Sequence, residues 1–485
     1  MGQDGILQPI GNRLALGHDV SRTFSLPLLA AFYPFLSASI PAKKGLSMTK
    51  DEILLAQKEF LFPAVFNYFK DPLVVSHAKD QYVFDIDGNQ YLDFFGGIVT
   101  VSVGHCNDQI NAKVHAQIDK LEHVSTVFVN EPQVALAQKL AQITPQQALR
   151  KSFFTNSGTE ANETAILAAR CYTGSTEIIA LRHAYHGRSA GTMSLTGQST
   201  WKLGPPQAGV VHAVNAYCYR CPFGLEYPSC EVKCAQDIEQ VIRTTTSGRV
   251  AGFIAEPIQG VGGFITPPKE YFKIVTDIVR KYGGIFIADE VQTAWGRTGS
   301  KWFGIEHWDV VPDIITSAKG LGNGMPIGVT IARPEIADAM KGVTISTFGG
   351  NPVVTTAAKA VIDYIEEQNL LRNTEETGAY LRGRLIDLKD KYQLIGDVRG
   401  MGLLQALELV EDRRTKVPAT AATLRMMEAA RENRIMIGRG GLYGNVIRLS
   451  PPMNIGRADV DEFIERLDAS FAKVEAAMLA GSQRT

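Results

Sequence analysis

The sequence predicts an α/β fold, with a mostly parallel central sheet, flanking helices, and a smaller α+β lobe built from the N- and C-terminal segments. Two observations predict it. Short apolar runs at Ile178-Ile179-Ala180-Leu181, Val250 to Ile254, Ile285-Phe286-Ile287-Ala288 and Ile314 to Ala318 read as strands buried on both faces, as parallel strands are. Between such runs lie helical patterns, Glu160 to Ala169 and Lys269 to Tyr282, and strand alternating with helix gives a doubly wound sheet.

The chain has 485 residues, long enough for two or three lobes. Its 49 basic and 50 acidic side chains leave a net charge of −1, which makes no electrostatic case for nucleic acid or a membrane surface. No uncharged apolar run reaches the length of about eighteen residues that a transmembrane helix needs. In residues 1–48, Arg13 and Arg22 precede an apolar stretch, Phe24 to Leu36, in loose imitation of a signal. Asp4, Asp19, Pro27 and Pro34 speak against one, and Met48 is a sensible alternative start. The expectation is a disordered tail over 1–48 on a cytoplasmic protein. Beyond it, 49–105 is the N-terminal part of the small lobe, 106–365 the large domain and 366–485 a C-terminal small domain.

In chain order, Tyr82 to Asp93 alternates apolar and polar residues around Asp87-Gly88-Asn89, a hairpin signal. Lys151 to Thr155 is an apolar run ending in Asn156-Ser157-Gly158-Thr159, with a helix after it. Strand, small-residue turn and helix form an arrangement whose free N–H groups and dipole hold a phosphate, though Ser157 or Thr159 also suits an ordinary N-cap. Tyr185, with His186 and Gly187, follows the strand Ile178 to Leu181; such an aromatic either stacks on a planar cofactor or packs in the core. Cys218, Cys221, Cys230 and Cys234 share one loop with Pro222, Gly224 and Pro228. The C-x2-C half is compatible with zinc, reduced thiols are the alternative, and no metal ligand is assigned. Glu256-Pro257-Ile258-Gln259-Gly260 closes the strand after Val250. Past Lys319 come a strand at Ile327 to Ala332, a tight loop at Ser346 to Pro352, and helices to about Tyr392. Gly400 to Leu409 is strand-like, Thr420 to Glu432 a helix, and Val446 to Leu449 a strand carrying Arg448. Arg448 suits a carboxylate clamp as well as a solvated surface position.

The chemistry concentrates between Ile285 and Lys319. One apolar strand stops at Asp289-Glu290, and the next delivers Lys319 into Gly320-Leu321-Gly322-Asn323-Gly324. Ligands sit at the carboxyl ends of such strands, so an acid and a lysine are aimed at one place. A lysine that forms a Schiff base with an aldehyde cofactor, and a carboxylate that keeps a pyridine nitrogen protonated, are the parts of carbanion chemistry. Opposite charges about 4 Å apart at an effective dielectric near 20 attract by roughly 4 kcal/mol, enough to hold the pyridinium at neutral pH.

Five separated motifs then fall in one family's order: Asn156-Ser157-Gly158-Thr159-Glu160-Ala161-Asn162, Tyr185-His186-Gly187, Glu256-Pro257-Ile258-Gln259-Gly260, Asp289-Glu290-Val291-Gln292-Thr293 and Ser317-Ala318-Lys319-Gly320. From Leu54 to Ala477 the chain resembles a class III pyridoxal-phosphate-dependent aminotransferase of fold type I, of the alanine–glyoxylate or ω-amino acid type. The resemblance implies that Lys319 carries the Schiff base and shuttles the substrate proton, while Asp289 pairs with the pyridinium nitrogen. Val291 and Tyr185 would cover the two faces of the ring, and Gln292 would reach its phenolic oxygen. Gly158 and Thr159 would hold the phosphate, with Ser157, His186 and Glu256 in the same cofactor-binding set. Thr347 would reach the phosphate of a neighbouring subunit, which makes the implied unit a homodimer with shared sites. Arg448 would bind the substrate carboxylate.

Two positions depart from the family pattern. Val261 stands where members that gate this arginine carry glutamate, and Ala294-Trp295 stands where glycine and phenylalanine are common. The implied reaction is transfer of an amino group from a small amino acid, β- or ω-amino acid, or amine to pyruvate or glyoxylate, by a ping-pong mechanism. An aminomutase or decarboxylase of the same fold is the alternative. A nicotinamide oxidoreductase, suggested by Gly320 to Gly324, lacks the third glycine and the acid it needs.

Overall fold

The structure, a computed structural model, describes residues 48–482. The tail expected over 1–48 lies, Met48 apart, outside the described residues. Seven strands form the central sheet: β4 (Lys151–Thr155), β5 (Ile178–Leu181), β6 (Val210–Ala213), β7 (Gly252–Ala255), β8 (Ile285–Asp289), β9 (Ile314–Ser317) and β10 (Gly328–Ala332), in the order β4-β10-β9-β8-β7-β5-β6. Neighbours from β9 to β6 run parallel, and β10 alone is antiparallel to both of its partners, β9 and β4. The expected mostly parallel sheet is therefore present, and the strand after Lys319 is the one that turns back.

The continuous apolar runs have the cause assigned to them. Every residue of β5, β7, β8, β9 and β10 is buried. Along β8 the pleat sends Ile285 and Ile287 into one apolar cluster and Phe286 and Ala288 into another. Alternate side chains thus serve opposite faces, so both must be apolar. The helix Gly158–Thr173 covers one face with Ala161, Ala165, Ala168 and Ala169, residues small enough to bring its axis close to the strands. On the opposite face the helix Tyr271–Lys281 buries Phe272, Val275 and Val279.

Two four-stranded sheets stand beside this one. β1 (Val75–Lys79), β2 (Tyr82–Asp85) and β3 (Gln90–Asp93) are antiparallel, and β13 (Ile435–Met436) adds to β3 in parallel. The chain's two ends thereby share a sheet. The expected hairpin forms with Val83 opposite Tyr91, its turn held by the Asp85 carboxylate accepting from the N–H groups of Asp87 (3.0 Å) and Asn89 (2.8 Å). The second sheet has the order β11-β12-β15-β14, from Ile395–Met401, Leu404–Leu409, Val446–Leu449 and Gly438–Gly440 respectively. The single strand expected at Gly400 to Leu409 is two strands. Gly402, at φ +52° and packed against the backbone of Thr298 and Gly299, turns β11 into β12 in a place where a Cβ would not fit.

Candidate active site

A cavity of about 320 Å³ opens at the carboxyl ends of β4, β5, β7, β8 and β9. Ser157, Gly158, Thr159, Tyr185, His186, Glu256, Asp289, Val291, Gln292 and Lys319 all line it. Residues up to 162 positions apart in the chain meet there because parallel strands end on the same side.

Asp289, the last residue of β8, is 2% exposed. Its Oδ2 accepts hydrogen bonds from Asn162 Nδ2 (2.8 Å) and His186 Nδ1 (2.7 Å), and its Oδ1 accepts from the Val291 N–H (3.1 Å). Asn162 also donates to the His186 carbonyl (2.8 Å) and accepts from Thr316 Oγ1 (2.6 Å). Burial works to lower the His186 pKa, but the hydrogen bond to Asp289 and the charge of that carboxylate outweigh it and raise the imidazole above its usual value. His186 Nε2 is buried and has no partner among the described residues. Glu256 is likewise buried, accepting from the N–H groups of Tyr185 (3.1 Å) and Gly260 (2.8 Å). Burial pushes its carboxyl well above the usual range, with the His186 charge opposing.

Lys319 follows β9 at φ +43°, a strained position for a residue with a side chain. Burial, and then the positive charge of Arg448, lower its amine to about 8, against the pull of Asp289 and Glu256. Arg448, on β15, is 3% exposed and does not itself line the cavity. Its Nη2 donates to Gln292 Oε1 (2.7 Å), and its guanidinium carbon lies 4.7 Å from the Phe264 ring centroid and 5.8 Å from that of Phe95. Burial also lowers the Arg448 pKa.

At the other expected contact, Ser157 caps the helix Gly158–Thr173 by accepting from the Glu160 N–H (3.3 Å). The capping reading of that turn is thus observed, and the cap leaves further first-turn N–H groups that no intrahelical carbonyl reaches. Gly158 lies so close to Val291 that a Cβ there would stand 2.8 Å from Val291 Cγ2. Thr347 is exposed and outside the cavity, in a stretch with exposed Val343, Ile345 and Phe348. Trp295 is also outside it; buried, it donates from Nε1 to Ser317 Oγ (2.9 Å), which donates to the Glu290 carbonyl (3.3 Å) and so ties the ends of β8 and β9 together.

Sequence reasoning assigned no role to Asn162, Thr316, Phe95 or Phe264. For Asn162 a signal existed, a polar side chain among alanines on the buried face of a helix. Among the described residues no three His, Cys, Asp or Glu side chains stand in metal-ligating geometry, and no helix is long and apolar enough to cross a membrane.

A seven-stranded, mostly parallel sheet with a lysine of lowered pKa and a buried carboxylate at its strand ends defines a pyridoxal-phosphate enzyme of fold type I. Residues 66–471 match the family described as Aminotransferase class-III, and the chain belongs to it. It is thus an aminotransferase that uses pyridoxal phosphate to move an amino group between small amino acids or amines and 2-oxo acids. The cavity fits that cofactor. The Asp289 carboxylate, the unpartnered His186 Nε2 and the first turn of Gly158–Thr173 all belong to it.

The chain is 45% identical over 425 residues to alanine–glyoxylate aminotransferase 2 homolog 2, mitochondrial, of Arabidopsis thaliana, covering 87% of this chain and 88% of that protein. It is 38% identical over 441 residues to alanine–glyoxylate aminotransferase 2, mitochondrial, of Homo sapiens, covering 86% of each. Among solved structures, a thermostable (S)-enantioselective ω-transaminase from Thermomicrobium roseum superposes with a TM-score of 0.81 at 32% identity, over 88% of this chain and 100% of that one. These relatives overturn the cytoplasmic expectation, since both curated proteins are mitochondrial by name. Pro27, Pro34, Asp4 and Asp19 count only against a continuous apolar signal, and mitochondrial transit segments are recognised by arginines and few acids rather than by such a stretch.

Proposed function

We propose that the enzyme transfers the amino group of alanine or a small β- or ω-amino acid to glyoxylate or pyruvate, with Arg448 as the carboxylate anchor. The observation that carries this reading is the company Arg448 keeps. Its hydrogen-bond partner is the neutral Gln292, no carboxylate is ion-paired to it among the described residues, and Val261 stands where a gating glutamate would. A buried guanidinium without a countercharge favours a ligand that brings one. The rings of Phe95 and Phe264 close around it, which suits a small acid.

Bound in the cavity, pyridoxal phosphate supplies an electrophilic carbon and an electron-accepting ring. Lys319 Nζ, its pKa lowered to about 8, is neutral in about a tenth of molecules at pH 7, and would hold the cofactor and carry the proton of the substrate α-carbon. Asp289, held by Asn162, His186 and the Val291 N–H, would pair with the ring nitrogen. Val291 and Tyr185 would orient the ring, Gln292 would address its phenolic oxygen, and Ser157, Gly158 and Thr159 would address the phosphate. His186 holds Asp289, and Glu256 accepts from the Tyr185 N–H.

The test separates the anchor from the chemistry. Arg448→Leu is expected to raise KM for alanine and 3-aminoisobutyrate by roughly 30- to 160-fold, the worth of a charge-assisted pair of about 2–3 kcal/mol. Turnover of an amine without a carboxylate should change by less than about threefold. Equal losses on both donor classes would sink the assignment, and loss of carboxyl carbon from the donor would favour the decarboxylase alternative.

A further inference from the structure

The four clustered cysteines are absorbed by nothing in the active site. Cys218, Cys221 and Cys230 lie in the connection between β6 and the helix Lys233–Thr245, which holds a single short helical turn at Cys218–Arg220, and Cys234 is the second residue of that helix. Connections of this length rarely keep one shape without a staple. All four thiols, Cys218, Cys221, Cys230 and Cys234, line one cavity of about 20 Å³, together with Lys233 and Pro268. That volume holds a single small occupant, being close to the minimum a water molecule takes. Cys218 lies near enough to Cys230 and Cys221 to feel their charge, as Cys234 does that of Cys218. None of the six cysteines is in a disulfide.

The segment also has work that requires a fixed shape. From this loop the Tyr217 hydroxyl and the Arg220 guanidinium both donate to the buried Glu408 carboxylate on β12, and the Tyr219 carbonyl accepts from Lys416 Nζ (2.8 Å). The Tyr217 ring meets His183, two residues before Tyr185, edge-on at 5.9 Å. The loop therefore clasps the central sheet to the second small sheet beside the cofactor cavity.

We propose that Cys218, Cys221, Cys230 and Cys234 bind one structural Zn²⁺ that fixes this clasp. The donor set, C-x2-C followed by C-x3-C, gives the four thiolates of a closed tetrahedral site. The thiols are not already in ligating geometry. Ligation turns them onto the shared void, to about 2.3 Å from the metal. Binding exchanges four S–H protons for one divalent cation and leaves the centre at −2, with the Lys233 ammonium beside it. The site is independent of the transamination reading.

Full-length protein purified without chelator is expected to carry about one zinc per chain by plasma mass spectrometry. Cobalt exchanged for it should show the intense visible bands and thiolate charge transfer of a tetrahedral tetrathiolate. With a chromogenic disulfide, the thiols of exposed Cys106 and Cys171 should react at once, and the other four, Cys218 included although it is also exposed, only after chelation. Cys230→Ser should lose the metal and unfold at a lower temperature; the wild-type metal content keeps the test decisive if that variant does not fold. Protein that takes up neither metal after full reduction overturns the proposal, as do six thiols reacting at one rate without chelator, or peptide mapping that finds these cysteines paired in disulfides.

Discussion

At the scale of single residues, the arrangement hinges on one amine whose pKa burial and a neighbouring charge lower, and on one buried arginine without an ion-paired carboxylate among the described residues. Burial and the Arg448 charge both favour the neutral form of Lys319, lowering it to about 8 from an ordinary lysine value of about 10.5. The direction fixes a pH dependence. Capture of cofactor by the apoenzyme needs the unprotonated amine, so its rate should rise about tenfold per pH unit below 8 and level off above. Removing the arginine charge removes a cause of the lowering, so in Arg448→Leu the inflection should move to higher pH. Stopped-flow absorbance on both proteins checks this, and an unmoved inflection would mean that burial alone sets the amine. Lys319 and Asp289 were legible in the sequence because each ends an apolar run, a position that only chemistry or capping explains. Asn162 was not, since its partners Asp289 and Thr316 lie 127 and 154 positions away and nothing local distinguishes it from a helix residue with a satisfied amide.

At the scale of elements, the proposed phosphate end of the site depends on how closely one helix start approaches one strand end. Gly158 opens the helix and Val291 follows β8, and the two are in contact because Gly158 has no side chain. Gly158→Ala places a Cβ at 2.8 and 3.1 Å from the Val291 methyls, closer than such contacts occur, and Val291 has little rotamer freedom with which to yield. Cofactor affinity should fall at least about tenfold, a shift of about 1.4 kcal/mol. Because Ala suits a helix start better than Gly, the thermal midpoint of the apoenzyme should drop little. Fluorescence titration of apoenzyme with cofactor, beside a melting curve, distinguishes the two. Strand and helix types in the central sheet were readable from apolar runs and 3.6-residue periodicity. The reversal of β10 was not, because a strand buried on both faces carries the same residues in either direction. The split of Gly400 to Leu409 turns on the left-handed backbone at Gly402, which a glycine permits and does not announce.

At the scale of the whole molecule, the question is what covers the apolar surface beside the phosphate end. Val127, Phe128 and Val129 are 64–88% exposed, and Val343, Ile345 and Phe348 are exposed by 102%, 55% and 60%. Thr126, Val134, Phe154, Thr344, Ile345 and Ser346 line a second cavity of about 840 Å³ in this region. Exposed apolar side chains gathered around one groove are unusual on a monomer. We propose that a second copy of the chain covers them and that Thr347 crosses to the partner subunit's phosphate site. The arrangement has a consequence that a self-contained subunit lacks. Thr347→Ala should weaken cofactor binding about tenfold, the worth of one hydrogen bond to a charged group, and Lys319→Ala should be inactive. In a hybrid of the two variants, one site inherits both lesions and the other neither. Mixed and re-formed dimers should therefore regain sites with wild-type cofactor affinity, in up to half of the hybrid's positions. If Thr347 served its own subunit, every site with an intact lysine would keep the weakened affinity, and no mixture would recover it.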